Sequence, residues 1–398
     1  MTKKMRIGTI VSFGVVILTS AARLGWAQQE QWLQYTVANE AWQILGDMGA
    51  ANPRLSSQKP EGVELPEFKC DEPFFARWNT PMVEAGGIWI ATDRTKKDGR
   101  YDSVYVDSDA DNSLADESAC QMYRQEQRET YFGPIKVVFQ SEDGPIAYHL
   151  NIQLYDYQGS RYLSIRPAGW YEGAVTVAGQ QKHCVLIDQN VNGTFNDKSL
   201  NASGADRIRI GKKDSRDTRF VGNYIEVDGV LYTTEIARDG AYIKLAEAEN
   251  VTFGTVRLPD VVTDFAAGGE NGLFIVKPKD GVARLPVGRY RIDYWRIDRK
   301  DDKGGNWALL GRYFSGDPDL SGFTVAETSE VELSVGEPII STLGATQRES
   351  EYVFAQALQG RLGERIELTR EGSQPQPPKL QIKSKDGTYD RTFSFEYG

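Results

Sequence analysis

The sequence has few of the side chains on which catalytic and metal sites most often depend. Its 398 residues include two histidines and three cysteines, and these form neither an HExxH nor a CxxC zinc motif. It also lacks a GxSxG nucleophile elbow, a Walker phosphate-binding loop and a GxGxxG loop after a strand. Zinc proteases, α/β-hydrolases and the common nucleotide-binding enzymes are therefore excluded. Paired carboxylates for glycoside cleavage stay open, because the sequence alone locates no pair among its 56 acidic residues.

Long apolar runs are absent after the first 27 residues. Residues 1–27 have the three zones of a secretory signal, namely Lys3, Lys4 and Arg6 at the start, the apolar run Ile7–Leu18, and then Gly25-Trp26-Ala27. The run is shorter than the roughly 20 residues that a membrane-spanning helix needs, so we expect cleavage after Ala27 rather than an anchor. The sequence thus predicts a secreted or periplasmic protein with no membrane insertion after cleavage.

Acidic residues outnumber basic ones, since 56 Asp and Glu face 46 Lys and Arg for a net charge of −10. A field of this sign repels nucleic acids, which we do not expect as partners, and attracts cations. Cys70, Cys120 and Cys184 all lie in the part predicted to be exported, where disulfides persist. Their spacing leaves open a Cys70–Cys120 bridge, a Cys120–Cys184 bridge and three reduced buried thiols.

The residue pattern predicts a mainly β fold, because apolar and polar residues alternate along many short segments bounded by turn residues. We expect a short N-terminal helix and linker over 28–66, a strand-rich domain over 67–257, a β-sandwich module over 258–339 and a C-terminal β-sandwich module over 340–398. The last two form either one domain or two. Helical spacing is confined to Ser118–Glu129 and, near the start, to Leu33, Val37, Ala41, Ile44, Leu45 and Met48.

The segment Ala283–Ile297 predicts a turn followed by a long strand, and several short strands come after it. This succession resembles the transthyretin-like and carboxypeptidase-regulatory β-sandwich modules, which implies an accessory domain. Strict alternation puts Trp295 on the same face as Arg289, Arg291 and Asp293, so partial exposure of its ring is expected. Exposed aromatic rings suit sugars, whereas most strand aromatics fill a core.

One segment, residues 107–117, has the spacing of a calcium-binding loop and is called the first loop below. Carboxylates occupy positions 1, 3 and 5 (Asp107, Asp109 and Asp111), and a turn residue, Asn112, occupies position 6. Ser113 at position 7 would offer its backbone carbonyl, and Leu114 at position 8 is apolar. A closing acid follows at position 10 or 11, which is Asp116 or Glu117. Calcium takes six to eight oxygens, and this spacing turns alternate side chains toward one point. The entering segment Ser103–Val106 is a predicted strand, so a full helix–loop–helix unit is not expected.

A second segment, residues 188–197, repeats this plan and is called the second loop. Its corresponding residues are Asp188, Asn190, Asn192, Gly193, Thr194, Phe195 and Asp197. Because it carries fewer charges, we expect a weaker calcium site there, with Asp206 as a further oxygen donor. Both loops resemble those of EF-hand, dockerin and thrombospondin-type repeats, which implies bound calcium with a structural role. The alternative is a pair of Asp- and Asn-rich turns that need no ion.

These features lead to two expectations about function. The first is a secreted, calcium-stabilised, non-enzymatic binding or structural protein of the envelope or extracellular space, with calcium as its cofactor and a carbohydrate or another envelope protein as its partner. The alternative is a secreted hydrolase of polysaccharide or peptide, with carboxylates as catalysts and the C-terminal units as accessory modules.

Overall fold

The computed structural model describes residues 29–46, 48–96, 99–142, 144–314, 321–349 and 351–396. It is 53% strand and 2% helix, which confirms the mainly β fold. The predicted signal at residues 1–27 lies outside the described residues. Within those ranges, no helix is both long enough and apolar enough to cross a membrane.

Four antiparallel sheets form the first part of the chain. Their strands are β1 (Gln31–Trp32), β2 (Gln34–Val37), β3 (Phe74–Asn79), β4 (Gly87–Asp93), β5 (Ser103–Val106), β6 (Cys120–Gln121), β7 (Arg124–Gln125), β8 (Glu129–Phe139), β9 (Ile146–Tyr157), β10 (Ser160–Pro167), β11 (Gly169–Val177), β12 (Gln180–Ile187), β13 (Arg207–Gly211), β14 (Arg219–Phe220), β15 (Tyr224–Val227), β16 (Val230–Ile236) and β17 (Tyr242–Glu247). The sheet orders are β3-β4-β5-β6, β10-β9-β8-β7, β14-β13-β12-β11-β2 and β1-β17-β16-β15. A short α1 (Ala41–Leu45) and a 3₁₀ turn (Ala202–Gly204) lie between strands.

All four sheets contribute to one hydrophobic core. In β9 the alternation predicted from the sequence is observed, since Tyr148, Leu150, Ile152 and Leu154 are each at most 2% exposed. The three cysteines are all free, so of the alternatives left open by their spacing the structure has the reduced thiols.

The helix predicted around residues 33–48 is largely wrong, because only Ala41–Leu45 is helical. The preceding residues form β1, which pairs with β17, and β2, which pairs with β11. Leu33 is buried in the main core, whereas Ala41, Leu45 and Met48 pack in a separate cluster with Trp170. Pairing with distant strands therefore outweighs the local helical spacing. The helical pattern over Ser118–Glu129 fails for the same reason, because β6 pairs with β5 and β7 with β8.

The second part of the chain has its own core. Its strands are β18 (Phe253–Arg257), β19 (Asp264–Gly269), β20 (Gly272–Val276), β21 (Val282–Pro286), β22 (Gly288–Lys300), β23 (Asn306–Phe314), β24 (Gly322–Val325), β25 (Glu330–Glu332), β26 (Ile340–Arg348), β27 (Glu351–Gln359), β28 (Glu364–Arg370), β29 (Lys379–Lys383) and β30 (Asp390–Ser394). They form an eight-stranded sheet β20-β19-β22-β23-β28-β27-β26 with β24 on β22, a three-stranded sheet β21-β18-β25 and a hairpin β29-β30.

Two strand pairings cross the domain boundaries expected from the sequence. Strand β18, expected in the unit ending at residue 257, pairs with β21, and its Val256 is part of the second core. Strand β28 pairs along β23, which joins the segment after residue 340 to the sheet of the preceding module. The first β-strands after residue 340 therefore extend that sheet.

A β-bulge reverses the faces of β22 partway along its length. Ala266 of β19 pairs with Tyr294, but the next residue, Ala267, pairs with Ile292, so one residue of β22 is extra. Consequently Tyr290 and Ile292 point into the core before the bulge, and Trp295 does so after it. Trp295 is 0% exposed, so the expectation of a partly exposed ring is wrong.

Candidate metal centre

The first loop connects two sheets at the end of β5. The N–H of Asp107 donates to the carbonyl of Trp89 on β4 at 3.0 Å, and the carbonyl of Ser108 accepts the N–H of Val138 on β8 at 2.7 Å. Leu114, the predicted apolar position, is 0% exposed and packs with Phe75 and Ala91. The loop is therefore held by backbone contacts at its start and by a buried side chain near its end.

Hydrogen bonds to the aspartates at positions 1 and 5 define the path of the loop. The carboxylate of Asp107 accepts the N–H groups of Asp111 at 3.1 Å and Asn112 at 3.2 Å. The carboxylate of Asp111 accepts the N–H of Ser113 at 2.8 Å. Ala110 and Asn112 both have left-handed backbones, with φ of 64° and 70°, a conformation that asparagine tolerates better than most residues. Asparagine thus serves at the position where glycine is usual.

The predicted acidic ligands of the first loop come together. The carboxylate oxygens of Asp107, Asp109 and Glu117 lie within 4.8 Å of one another, and so do those of Asp109, Asp111 and Asp116. Asp109 belongs to both groups and is therefore the centre of the cluster. Such a set of carboxylate oxygens can hold a metal ion, because hard cations prefer oxygen ligands at short range.

The electrostatics of this cluster favour a cation. Asp107 is 2% exposed, and burial, together with the charges of Asp111 and Asp109, raises its pKa to about 6. Burial also raises the pKa of Glu117, whose carboxylate accepts the Ser108 N–H and, at 3.0 Å, the Ser108 hydroxyl. Both shifts mean that negative charge at this site is costly without a neutralising partner.

Ser113, expected to supply a carbonyl oxygen, forms a parallel β-bridge with Glu64. Its hydroxyl accepts the N–H of Ala115 at 3.1 Å, which shapes the turn before the closing acids. Asn112 donates its side-chain amide to the carbonyl of Gly62 at 2.6 Å. The segment before β3 thus packs along the loop, a contact that local spacing does not predict.

The second loop has the same backbone geometry as the first. Asp188 accepts the N–H groups of Asn192 at 3.3 Å and Gly193 at 2.7 Å, which occupy positions 5 and 6 as Asp111 and Asn112 do. Val191 and Gly193 have φ of 57° and 91°, matching the left-handed residues of the first loop. The side chain at position 5 again accepts the N–H at position 7, since Asn192 Oδ1 accepts the N–H of Thr194 at 2.9 Å.

The predicted ligands of the second loop also meet, but they do so through hydrogen bonds. The carboxylate of Asp197 accepts the side chains of Asn190 at 3.0 Å, Asn192 at 2.8 Å and Thr194 at 2.6 Å. Among the described residues, both groups of three acids able to share an ion lie in the first loop. The two loops therefore share their backbone and differ in charge.

Asp188 and Asp206 are buried carboxyl groups, each 0% exposed. Asp188 accepts the hydroxyl of Tyr148 at 2.8 Å, and burial raises its pKa to about 7. Asp206 accepts the N–H groups of Gln189 at 3.0 Å and Asp197 at 2.8 Å. It therefore clamps both ends of the second loop, and burial together with the charge of Asp188 raises its pKa.

Side chains from other sheets complete the second loop, and sequence spacing did not identify them. Trp78 donates its indole N–H to the carbonyl of Val191 at 2.6 Å, and Thr80 donates its hydroxyl to the carbonyl of Asn192 at 2.6 Å. Both residues lie at or just beyond the end of β3, far from the loop in sequence. Only the tertiary fold brings them to it.

The two histidines are separate from both loops. His149 lies on β9 and is half-buried, and burial lowers its pKa. His183 Nε2 is 3.2 Å from a carboxylate oxygen of Glu172.

Comparison of the chain with models of protein families, with curated proteins and with solved structures finds no match.

Proposed function

We propose that this protein is a secreted, calcium-stabilised, non-enzymatic binding or structural protein of the envelope or extracellular space. The observation that carries the proposal is the acidic cluster of the first loop, in which Asp109 belongs to two overlapping groups of carboxylates. Asp107, Asp109 and Asp111 are the proposed ligands at positions 1, 3 and 5. Asp116 or Glu117 closes the shell, and Ser113 supplies its backbone carbonyl.

Calcium is the proposed ion because its coordination shell is large and flexible. It takes six to eight oxygens at about 2.3–2.6 Å, whereas magnesium demands a near-ideal octahedron and keeps several waters. The proposed shell combines carboxylates, a carbonyl and water, which suits the larger ion. Binding would also offset the burial of charge and the repulsion from Asp111 and Asp109, which together raise the pKa of Asp107.

A structural role follows from where the loops sit. The first loop contacts β4 and β8, which belong to different sheets. The second contacts β9 through Tyr148 and the residues around β3 through Trp78. An ion that stiffens either loop would therefore stabilise the junction between sheets, and its binding energy would add to the free energy of unfolding.

The second loop is a proposed calcium site of lower affinity. Its ligands would be Asp188, Asn190, Asn192, Thr194 and Asp197. Asn190 and Asn192 now donate their amides to Asp197, so both would have to present their oxygens instead. The exchange of these hydrogen bonds for ion contacts reduces the net gain.

An aromatic surface in the C-terminal region supports the binding part of the proposal. A groove of about 600 Å³ between β27 and the hairpin β29-β30 is lined by Tyr352, Phe354, Tyr389, Phe393 and Phe395, among others. Tyr352 is 63% exposed, so the groove opens to solvent. A carbohydrate or another envelope protein is the proposed partner of this region, and a glycan array of the calcium-loaded protein tests the carbohydrate.

The test is thermal unfolding of the full chain, exported and processed by its expression host, in EDTA and in a calcium series with magnesium as a control. We expect the midpoint to rise and saturate with calcium, because a ligand at 100 times its Kd stabilises by about 2.7 kcal/mol. Intact mass checks for cleavage after Ala27.

Asp109→Asn should abolish most of the calcium shift, because it removes a charge shared by both acid groups. Asp302→Asn is the matched control, since Asp302 is an exposed acid in a turn of the second part of the chain. An unchanged midpoint in calcium, or an equal calcium shift in Asp109→Asn and the parent, would contradict the proposal.

A further inference from the structure

A cavity of about 310 Å³ lies between the end of α1 and the strands β11, β12 and β13. Its walls include the side chains of Leu45, Trp170 and Val185, which are 6%, 4% and 6% exposed. These three residues belong to the small cluster that packs α1 against the sheet. One wall of the cavity is therefore apolar, and none of the loop ligands lines it.

Two arginines in the cavity wall are fixed by the end of α1. Arg209 donates to the carbonyl of Leu45 at 2.7 Å. Arg216 donates to the carbonyls of Ile44 and Leu45, both at 3.0 Å. Because the carbonyls at a helix end carry partial negative charge, these contacts hold both guanidinium groups in place.

The rim adds more positive charge. Lys212 and Lys213 are exposed side chains on the turn after β13, and both line the cavity. Together with the arginines they make four cations, against the two acids Glu172 and Asp214. This local excess is opposite in sign to the net charge of the chain, which is −10.

The acid inside the cavity is already engaged by protein groups. One carboxylate oxygen of Glu172 accepts the hydroxyl of Thr36 at 3.0 Å, and the other lies 3.2 Å from His183 Nε2. Both oxygens of Glu172 therefore have partners on neighbouring strands. The exposed lysines at the rim can therefore pair with an anionic group of another molecule.

The Trp170 ring belongs to the apolar wall of the cavity. It lines the cavity and is 4% exposed, so it offers an aromatic surface to a bound molecule.

We propose that this cavity binds a small organic anion that carries a carboxylate or phosphate group on an apolar or aromatic body. Lys212 and Lys213 bind the anionic group, with Arg209 and Arg216 adding to the positive field. Leu45, Val185 and the Trp170 ring contact the body of the ligand.

The test is isothermal titration of the full chain with phenyl phosphate, which joins a dianion to an aromatic ring. Benzoate replaces the phosphate by a carboxylate, while inorganic phosphate and phenol each supply one half of the probe. We expect phenyl phosphate or benzoate to bind more tightly than either half, with an affinity that falls as ionic strength rises.

The variant Lys212→Ala/Lys213→Ala should bind at least about tenfold more weakly, because each hydrogen bond to a charged group contributes about 1.5 kcal/mol or more. Lys277→Ala/Lys279→Ala, which removes two exposed lysines elsewhere, should bind like the parent.

The proposal is overturned if neither phenyl phosphate nor benzoate binds the parent protein at millimolar concentration. Equal affinity of the parent and of Lys212→Ala/Lys213→Ala would place any binding elsewhere and would also overturn it. Equal weakening by both lysine pairs would indicate a general charge effect and would overturn it too. None of these outcomes depends on calcium, so they are distinguishable from failure of the proposed function.

Discussion

Replacing Gly311 with alanine should destabilise the second core by crowding Trp295. Gly311 on β23 pairs directly with Trp295 on β22. A Cβ atom at position 311 would lie 2.3 Å from Cε2 and 2.5 Å from Nε1 of the indole. Because non-bonded carbon atoms pack at about 3.5–4.0 Å, the ring or the strand would have to move by more than about 1 Å.

The surroundings of the ring determine the size of the effect. Trp295 and Glu364 are both 0% exposed, and the indole N–H donates to Glu364 Oε1 at 2.7 Å. Overpacking of a core costs about 1–3 kcal/mol, and a buried polar group left without its partner costs about 1–3 kcal/mol more. We therefore expect the free energy of unfolding to fall by about 2–6 kcal/mol.

Urea unfolding of Gly311→Ala and Gly344→Ala measures this effect against a control in the same sheet. At Gly344 the nearest atom to an added Cβ is the carbonyl oxygen of Ala355 at 3.7 Å, an ordinary contact. Gly344→Ala should therefore be neutral or stabilising by about 0.4–1 kcal/mol. If Gly311→Ala were as stable as the parent, or if both variants lost equal stability, the buried position of Trp295 would be refuted.

Three further predictions use urea unfolding. Leu114→Ala should lower the free energy of unfolding by about 2–5 kcal/mol, because Leu114 is 0% exposed and anchors the first loop. It should also reduce the increase in stability that calcium is proposed to give. Tyr148→Phe should lower the free energy of unfolding by about 1–3 kcal/mol, because it removes the hydroxyl that donates to Asp188 at 2.8 Å. Tyr155→Phe, at a partly exposed position on the same strand, is the control. An equal loss of stability in both variants would contradict this prediction. Burial acts to raise the pKa of Asp93, but N–H groups including those of Lys69 and Cys70 hold it below its usual value. Its stabilising contribution is therefore present above the unfolded-state pKa and lost as pH falls through the lower folded-state pKa, so Asp93→Asn should flatten the acid limb of a stability–pH profile.

Local patterns were sufficient to predict many strands and the course of both loops. Strand Ser103–Val106 has the bounds expected from its alternation. The left-handed residues of the loops fall where the spacing puts the turn, as at Asn112 and Gly193. These features depend on residues that are close in sequence, which is why the sequence alone predicts them.

Features that depend on distant pairing could not be predicted in this way. The single extra residue in β22 is visible only in its register with β19, and it decides whether Trp295 is a surface or a core residue. Asp206 was expected only to lend an oxygen, yet it clamps both ends of the second loop through backbone N–H groups. The acceptors of a buried carboxylate depend on the tertiary fold, because the sequence does not specify which N–H groups approach it.

The two loops share the backbone shape of a calcium-binding loop but differ in how strongly their charges favour a cation. Both hold the position-1 aspartate with N–H groups from positions 5 and 6, so the two loops share one backbone path. In the second loop, two amides and a hydroxyl donate hydrogen bonds to Asp197 and stabilise its carboxylate. In the first, Asp109 has carboxylates on both sides. If both loops bind calcium as proposed, its removal should loosen the first loop more than the second, so amide hydrogen exchange should increase around Asp109 while it stays low around Asn192.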